Sequence, residues 1–210
     1  MSELYDYWSH TGHRIGSCWH SEEHNIVYIN IPKNASTWCK QVFQDLDFKP
    51  AQYQELDLSS KDIIVILRDP VDRWISGISQ FLGIQHRNLL NTGCVDDILQ
   101  IVTESVAFDD HTDEQIYFID KVPRNRVIYF EFNNNLKYNL HNYLDSKNII
   151  NKCLEIDTAN PTNEFTKNWM VHIKDYVQRY PEVIDIINNY NRRSNFLINK
   201  IRQQNLFYEH

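Results

Sequence analysis

Residues 25–46 read NIVYINIPKNASTWCKQVFQDL, and this stretch decides the predicted fold. The mostly apolar run IVYINI is typical of a strand that is buried on both faces. Pro32 ends that strand, because proline has no N–H group to donate to a ladder. Ser36 or Thr37 is then predicted to cap an amphipathic helix that buries Trp38 on its inward side.

The loop at 32–37, PKNAST, is predicted to bind an anion. A loop that enters a helix presents free backbone N–H groups and the positive end of the helix dipole. Lys33 adds a mobile cation to the same loop. We therefore interpret PKNAST as a phosphate-binding loop.

The pattern of strand, polar turn and helix recurs further along the chain. The sequence DIIVIL at 62–67 predicts a second buried strand. Asp69 is a good helix cap and Pro70 a good first helical residue, so a helix is predicted to follow. Two such units in close succession are expected of α/β packing with a parallel sheet.

The turn after the second predicted strand contributes two further polar groups, which are expected near the carboxyl ends of the strands. Arg68 lies at the carboxyl end of the predicted strand, where open α/β sheets place ligands. Ser76 lies about two turns into the helix, so Arg68 and Ser76 could close around a second phosphate. The alternative is that Arg68 and Arg73 form ordinary surface ion pairs with neighbouring aspartates.

The rest of the chain extends this pattern. A third strand at 126–132 is predicted to be central, because its apolar residues run together. The segment at 47–61 is less regular. Helices are predicted at 96–106 with Asp96 as cap, at 112–119 with Thr112 or Asp113 as cap, at 133–144 and from 162 onward.

We therefore expect an α/β fold, a single domain over 1–210 with a central, mostly parallel sheet flanked by helices. Its parts are an N-terminal arm (1–24), a nucleotide-binding core (25–132) and a mainly helical remainder (133–210).

Composition narrows the class of protein. The chain is 42% hydrophobic and 13% aromatic, which favours a folded globule over a disordered chain. Its net charge of −7 argues against a broad nucleic-acid-binding face. The four cysteines form no CxxC pair, and there is neither a signal-peptide pattern nor an apolar run of membrane-spanning length. We expect a cytoplasmic protein that binds neither nucleic acid nor membrane.

The sequence HSEEH at 20–24 fits the HxxEH pattern of some zinc peptidases. That pattern needs a helix to bring both imidazoles to one face, and a strand is predicted to begin within two residues of His24. An exposed turn is the preferred interpretation, so no metal site is predicted.

Taken together, the two turns resemble a known family. PKNAST resembles the 5′-phosphosulfate loop of the sulfotransferases that use 3′-phosphoadenosine 5′-phosphosulfate (PAPS). The sequence of that loop is often PKxGTT. The stretch ILRDPVDRWISGISQF at 66–81 resembles their 3′-phosphate segment, Arg-[Asn/Asp]-Pro-x-x-Arg-x-x-Ser. Asp110-His111-x-x-x-Gln115 is similar to a region of the carbohydrate-sulfotransferase branch. The resemblance covers 26–82 closely and implies the P-loop-like sulfotransferase fold.

The resemblance also implies an activity: transfer of a sulfuryl group from PAPS to an acceptor hydroxyl or amine, leaving PAP, without a metal. Lys33 would stabilise the leaving group, and Arg68 and Ser76 would hold the 3′-phosphate. The other candidate nucleotide-binding residues are Asn34, Ala35, Ser36, Thr37 and Trp38, of which Trp38 also fits a core position.

His111 is the leading candidate for the general base, because a neutral imidazole accepts protons near neutral pH. His86, Glu55 and Asp57 are the alternatives. The acceptor is not specified, with carbohydrates and other small molecules as candidates. The Golgi members of the carbohydrate-sulfotransferase branch have a transmembrane anchor, for which this sequence shows no pattern. A compact microbial or viral enzyme is therefore expected.

Two departures from the family pattern concern the loop. Ala35 stands where glycine is common, so the loop is predicted to avoid a positive φ at this position. Asn34 replaces a small or hydroxyl residue. Neither change removes the backbone N–H groups that bind an anion.

Two other functions remain open. A P-loop kinase-like phosphotransferase is disfavoured, because GxxxxGK[ST] is absent and Lys33 lies at the start of the loop. A non-catalytic nucleotide-binding interaction module would keep Lys33, Arg68 and Ser76 but lack an acceptor site.

Overall fold

The computed structural model describes residues 16–86, 89–90, 95–150, 153–156 and 163–209. Over these residues the chain is an α/β protein with seven α-helices and one five-stranded sheet. The strands are β1 (Ser17–Ser21), β2 (Ile26–Ile29), β3 (Lys49–Gln52), β4 (Asp62–Leu67) and β5 (Val127–Glu131).

The sheet is mixed, which corrects the expectation of a mostly parallel one. Its strand order is β3-β1-β2-β4-β5. The β2–β4 and β4–β5 pairings are parallel, whereas β1 pairs antiparallel with both β2 and β3. A turn in which Asn25 has a φ of +56° returns the chain from β1 to β2. Because β2, β4 and β5 run in one direction, their carboxyl ends share one edge of the sheet.

Three sequence expectations about the strands are wrong. Residues 17–21 of the predicted N-terminal arm form β1, while 1–15 lie outside the described residues. The segment predicted to be less regular contains β3, which is the outermost strand on its side among the described residues, a position where Pro50 is tolerated. β5 lies at an edge, where Tyr129 forms a bridge to Phe207 on its outer side.

The predicted helices are largely confirmed. Asp96, however, lies inside the first turn of its helix instead of capping it, and the short helix expected at 112–119 is a 3₁₀ turn, Gln115–Ile119. The start of the helical segment predicted from 162 onward lies outside the described residues. The helices are α1 (Ser36–Asp45), α2 (Pro70–Gln85), α3 (Val95–Ser105), α4 (Leu136–Ser146), α5 (Glu164–Arg179), α6 (Glu182–Tyr190) and α7 (Arg192–Gln203).

The chain divides into two compact units, each assembled from non-adjacent stretches. The sheet unit comprises the described residues of 15–68, 115–160 and 196–210. The helical unit comprises those of 69–114 and 161–195.

The core of the sheet unit lies on both faces of the sheet, because successive strand residues point to opposite sides. On one face Tyr28 and Phe130 pack with Phe43 of α1 and Leu140 of α4. The other face carries a second apolar cluster, which includes Val27, Ile63, Val65, Phe118, Ile198 and Ile201.

The helical unit has its own core. Trp74 of α2 and Trp169 of α5 are its largest fully buried apolar side chains, packed with Leu99 of α3 and Ile187 of α6. Both tryptophans therefore serve as packing residues of this unit. Across the part of the chain that the structure describes, the helices are too short or too polar to cross a lipid bilayer.

Candidate functional site

The PKNAST loop begins with a tight turn at the carboxyl end of β2. The N–H group of Asn34 donates to the carbonyl oxygen of Ile31 at 3.2 Å, which closes a four-residue turn. Pro32 is its second residue, and Lys33 is its third, with a φ of +68°. This is the type II arrangement, in which glycine or asparagine is usual at the third position. The cationic residue of the loop therefore has a strained backbone.

Ala35 also has a left-handed backbone, with φ +59° and ψ +19°. The prediction that this position avoids a positive φ is wrong. The physical reason is that Ser36 directly after it is right-handed and helical, so the chain reverses hand at this point to enter α1. A left-handed residue next to a right-handed one turns successive N–H groups toward one concave side, a nest that suits an anion.

The start of α1 leaves backbone donors without helical partners. Its N-cap is Ala35, which has no side chain able to cap, so the prediction of a Ser36 or Thr37 cap is wrong. The Cys39 N–H donates to the Ala35 carbonyl oxygen at 2.9 Å, as the first intrahelical bond. The N–H groups of Ser36, Thr37 and Trp38 precede that bond and therefore face the loop side without an intrahelical acceptor.

Arg68 is bonded to the loop. It follows β4 at the carboxyl edge of the sheet, and its Nη1 donates to the carbonyl oxygen of Lys33 at 3.0 Å. Its guanidinium carbon lies 4.6 Å from the ring centroid of Phe132, a cation–π contact just beyond the end of β5. The two residues that define the family resemblance, Lys33 and Arg68, are thus brought together within the sheet unit.

Two buried amide side chains connect the same groups. The Nδ2 of Asn34 donates to the carbonyl oxygen of Ile66 at 2.8 Å and to Oε1 of Gln115 at 2.6 Å. Gln115 pairs with both backbone groups of Arg68, accepting from its N–H at 3.0 Å and donating to its carbonyl oxygen at 2.8 Å. Asn34 and Gln115 are both 0% exposed.

The other predicted loop residues differ in exposure. Thr37 is exposed, and Lys33 and Ser36 are partly buried. Trp38 is buried in the core of the sheet unit with Tyr28 and Phe43, which fits the core alternative for this residue.

Ser76 and Arg73 belong to the helical unit and lie on α2. Both are buried. The Arg73 guanidinium donates to the backbone carbonyl oxygens of Asp110, at 3.0 Å, and of Asp113. The alternative of a surface ion pair is therefore wrong for Arg73, which braces the turn containing His111.

His111 lies between two carboxylates. Its Nδ1 is 2.9 Å from Oδ2 of Asp109 and 3.0 Å from Oδ1 of Asp110, and its Nε2 is 3.1 Å from the amide nitrogen of Gln80. Burial alone would lower the imidazole pKa, but the hydrogen bonds to Asp109 and Asp110 outweigh it and raise the pKa of His111 to about 9. The expectation of a neutral imidazole at neutral pH is therefore not met.

The three ligand atoms of Asp109, Asp110 and His111 lie within 4.8 Å of one another, close enough to surround a cation. The same spacing is expected of an imidazolium that donates to two carboxylates. Gly77 of α2 makes the close approach of this turn possible, because a Cβ there would lie 2.4 Å from the His111 carbonyl oxygen.

The alternative bases lie in separate places. His86 is the C-cap of α2 in the helical unit, where its ring centroid is 5.1 Å from that of Phe81. Glu55 and Asp57 are exposed in the sheet unit. The Asp57 carboxylate accepts the Ser59 N–H, and this hydrogen bond lowers its pKa.

Sequence reasoning missed the roles of Asn34 and Gln115. From the sequence, Asn34 is only a replacement that keeps the backbone N–H groups of the loop, and Gln115 is only part of a motif. The signal for Gln115 was its place in that motif, whereas nothing in the order of residues indicates which groups its amide contacts.

No family model, curated protein or solved structure matches the chain. Function is therefore inferred from the chain's own residues and their geometry.

Proposed function

We propose that the chain transfers a sulfuryl group from PAPS to a hydroxyl or amine of an acceptor, without a metal ion. One observation carries the proposal. At the carboxyl ends of the parallel strands, a loop in which Lys33 and Ala35 have left-handed backbones leads into the N-terminus of α1, and Arg68 donates a hydrogen bond to that loop. Backbone donors, a helix dipole and the Arg68 guanidinium at a loop that also contains Lys33 favour a ligand rich in anionic oxygens.

The loop suits the 5′-phosphosulfate end of PAPS, which supplies the sulfuryl group. The N–H groups of Ser36, Thr37 and Trp38 would bind its oxygens as hydrogen-bond donors. The Lys33 ammonium would stabilise the negative charge that develops on the bridging oxygen as PAP leaves. Fixed donors at such a position typically contribute about 10²–10³ in rate.

Arg68 is proposed to hold the 3′-phosphate. A guanidinium carries five N–H donors in a planar fork that suits phosphate oxygens, and one of them holds Arg68 to the loop through the Lys33 carbonyl oxygen. Ser76 is proposed as a second ligand of that phosphate from the sequence pattern.

His111 remains the proposed general base, with a condition set by its pKa. Because the imidazole is protonated up to about pH 9, only a small neutral fraction accepts a proton at neutral pH. Turnover should therefore rise with pH toward about 9. A rate that is flat between neutral pH and that value would exclude His111 as the base.

A magnesium-dependent kinase fits less well. Such an enzyme needs a carboxylate near the phosphates, and Asp69 is the acidic group directly after β4 and Arg68. Its Oδ1 instead accepts the N–H groups of Val71 and Asp72, both at 3.0 Å, as the cap of α2. That carboxylate is used to start a helix.

The deciding experiment is calorimetric titration of the chain with PAP, ATP and Mg²⁺-ATP. We expect tight PAP binding that needs no metal and is lost in Arg68→Ala. Arg124→Ala is the matched control, because Arg124 is an exposed arginine of the sheet unit that precedes the amino end of β5. A preference for Mg²⁺-ATP, or equal PAP losses in both variants, would overturn the proposal.

The acceptor is found with radiolabelled PAPS and a panel of sugars, phenols, steroids and small alcohols. Transfer to one class should disappear in Lys33→Met while PAP binding persists in weakened form. If the folded chain binds PAP but labels no acceptor, it is a nucleotide-binding module and the transferase assignment is wrong.

A further inference from the structure

Near the end of β4, some backbone groups are hydrogen-bonded to side chains instead of to a neighbouring strand. On the side of β2, the parallel pairing extends only from Ile26↔Asp62 to Tyr28↔Ile64, because β2 ends at Ile29 and the chain turns away at Pro32. β4 continues to Leu67, beyond the last residue that pairs with the described residues of β2. Buried backbone groups without hydrogen-bond partners destabilise the folded state.

Two side-chain amides take the place of the missing strand. Asn34 Nδ2 satisfies the carbonyl oxygen of Ile66, and Gln115 satisfies both the N–H and the carbonyl oxygen of Arg68. Alternate residues of a strand direct their backbone groups to the same side, which is why positions 66 and 68 need partners here. The Asn34–Gln115 hydrogen bond at 2.6 Å joins the two substitutes.

These hydrogen bonds hold both the PKNAST loop and Arg68. Asn34 lies in the loop between the two left-handed residues Lys33 and Ala35. Arg68 carries the guanidinium that donates to the loop. Gln115, itself fully buried, contacts Asn34 directly and holds the backbone from which the Arg68 side chain departs.

We infer that Gln115 is a positioning residue, which fixes Arg68 and, through Asn34, the anion loop at the end of β4. The identity of the bound anion rests on the proposed function, whereas the positioning itself does not. Removing the Gln115 amide frees the Arg68 backbone and releases the Asn34 side chain, so the loop and the guanidinium lose their mutual placement.

The first experiment needs no ligand. Amide hydrogen exchange is followed by NMR in the wild type, in Gln115→Met, which keeps the length of the side chain, and in Asn139→Leu as control. Asn139 is a buried amide residue of the same unit, on α4. We expect the Arg68 N–H to exchange at least about tenfold faster in Gln115→Met alone, because it loses its acceptor. An unchanged Arg68 exchange rate would overturn the inference.

The second experiment measures PAP binding by the same three proteins and by Gln115→Glu. We expect affinity at least about tenfold weaker in Gln115→Met and little changed in Asn139→Leu. In Gln115→Glu a buried carboxyl group that becomes protonated can again donate to the Arg68 carbonyl oxygen. Its affinity relative to wild type should therefore recover as the pH falls from about 7.5 to about 5.5, which a loss of packing alone would not produce.

The outcomes separate the two proposals. If the wild type binds no PAP, the proposed function fails and the exchange result alone decides the role of Gln115. If the wild type binds PAP and Gln115→Met binds it equally well despite faster exchange, Gln115 does not position the site. Faster exchange together with weaker PAP binding and acid rescue supports the inference.

Discussion

The Nη1 of Arg68 donates a hydrogen bond to the carbonyl oxygen of Lys33 at 3.0 Å. The acceptor belongs to a residue with a left-handed backbone, and the donor belongs to the residue that directly follows β4. The bond therefore stabilises a strained loop at the same time as it fixes the Arg68 guanidinium against the backbone of Lys33.

Ala35→Gly should stabilise the fold. A left-handed backbone costs an alanine about 1–2 kcal/mol more than a glycine, and Ala35 has a φ of +59°. We expect the free energy of unfolding to rise by about 1 kcal/mol in chemical denaturation. Ala51→Gly in β3 is the control and should destabilise, because glycine weakens an ordinary strand. A loss of stability in Ala35→Gly would contradict the left-handed assignment.

Lys33→Gly and Lys33→Met should separate the charge of this residue from its strain. Both remove the ammonium, so both should reduce turnover with PAPS by about 10²–10³. Only glycine relieves the positive φ of +68°, so only Lys33→Gly should also raise the melting temperature. If Lys33→Met kept wild-type turnover, the charge would have no part in catalysis.

His111 should make stability fall as the pH rises. Its folded pKa, about 9, lies above the value of about 6.5 for an unfolded histidine. The folded state therefore binds the proton more tightly, and this stabilisation is complete below about pH 6.5 and is lost as the pH rises through about 9. We expect the free energy of unfolding, measured by chemical denaturation, to fall by up to roughly 3 kcal/mol between about pH 6.5 and about pH 9. In Asp109→Asn this change in free energy should be smaller, because the substitution removes one carboxylate partner of His111. An equally large change in this variant would argue against that ion pair.

Gly77→Ala should destabilise the helical unit against the trend of helix propensity. By propensity alone, glycine to alanine inside a helix stabilises by about 1 kcal/mol. A Cβ at this position would instead lie 2.4 Å from the His111 carbonyl oxygen and 2.9 Å from its carbonyl carbon, so α2 and the turn must separate. We expect a net loss of about 1–3 kcal/mol and a lower His111 pKa by NMR. A gain in stability would show that the turn does not pack so closely.

Local signals predicted the elements that the chain specifies within a few residues. The strand predicted at 62–67 is β4, Asp62–Leu67, and Asp69 caps α2 as its position before Pro70 indicates. β1 was missed because it is short and its buried Cys18 and Trp19 are followed by polar residues. β3 has little strand signal either, because it is four residues long and contains Pro50.

The proximity of Lys33 and Arg68 could be predicted from the sequence, whereas the geometry of the loop could not. The order of PKNAST and Arg68 indicates an anion loop and a strand-end cation. The positive φ of Ala35 carries no sequence signal, because alanine rarely adopts it. The protonation of His111 depends on which carboxylates surround it, and the two nearest in sequence, Asp109 and Asp110, both turn their oxygens to the same nitrogen.

The hydrogen bonds that shape the loop connect distant parts of the chain, since Asn34 and Gln115 are 81 positions apart and Arg68 and Gln115 are 47 apart. Contacts over such separations form only after most of the sheet has assembled, because closing the intervening chain costs entropy. A fragment that ends before Gln115 would contain the whole PKNAST sequence and still lack the shape of the loop. During synthesis, the ability to hold an anion would therefore arise late, as a property of the completed sheet unit.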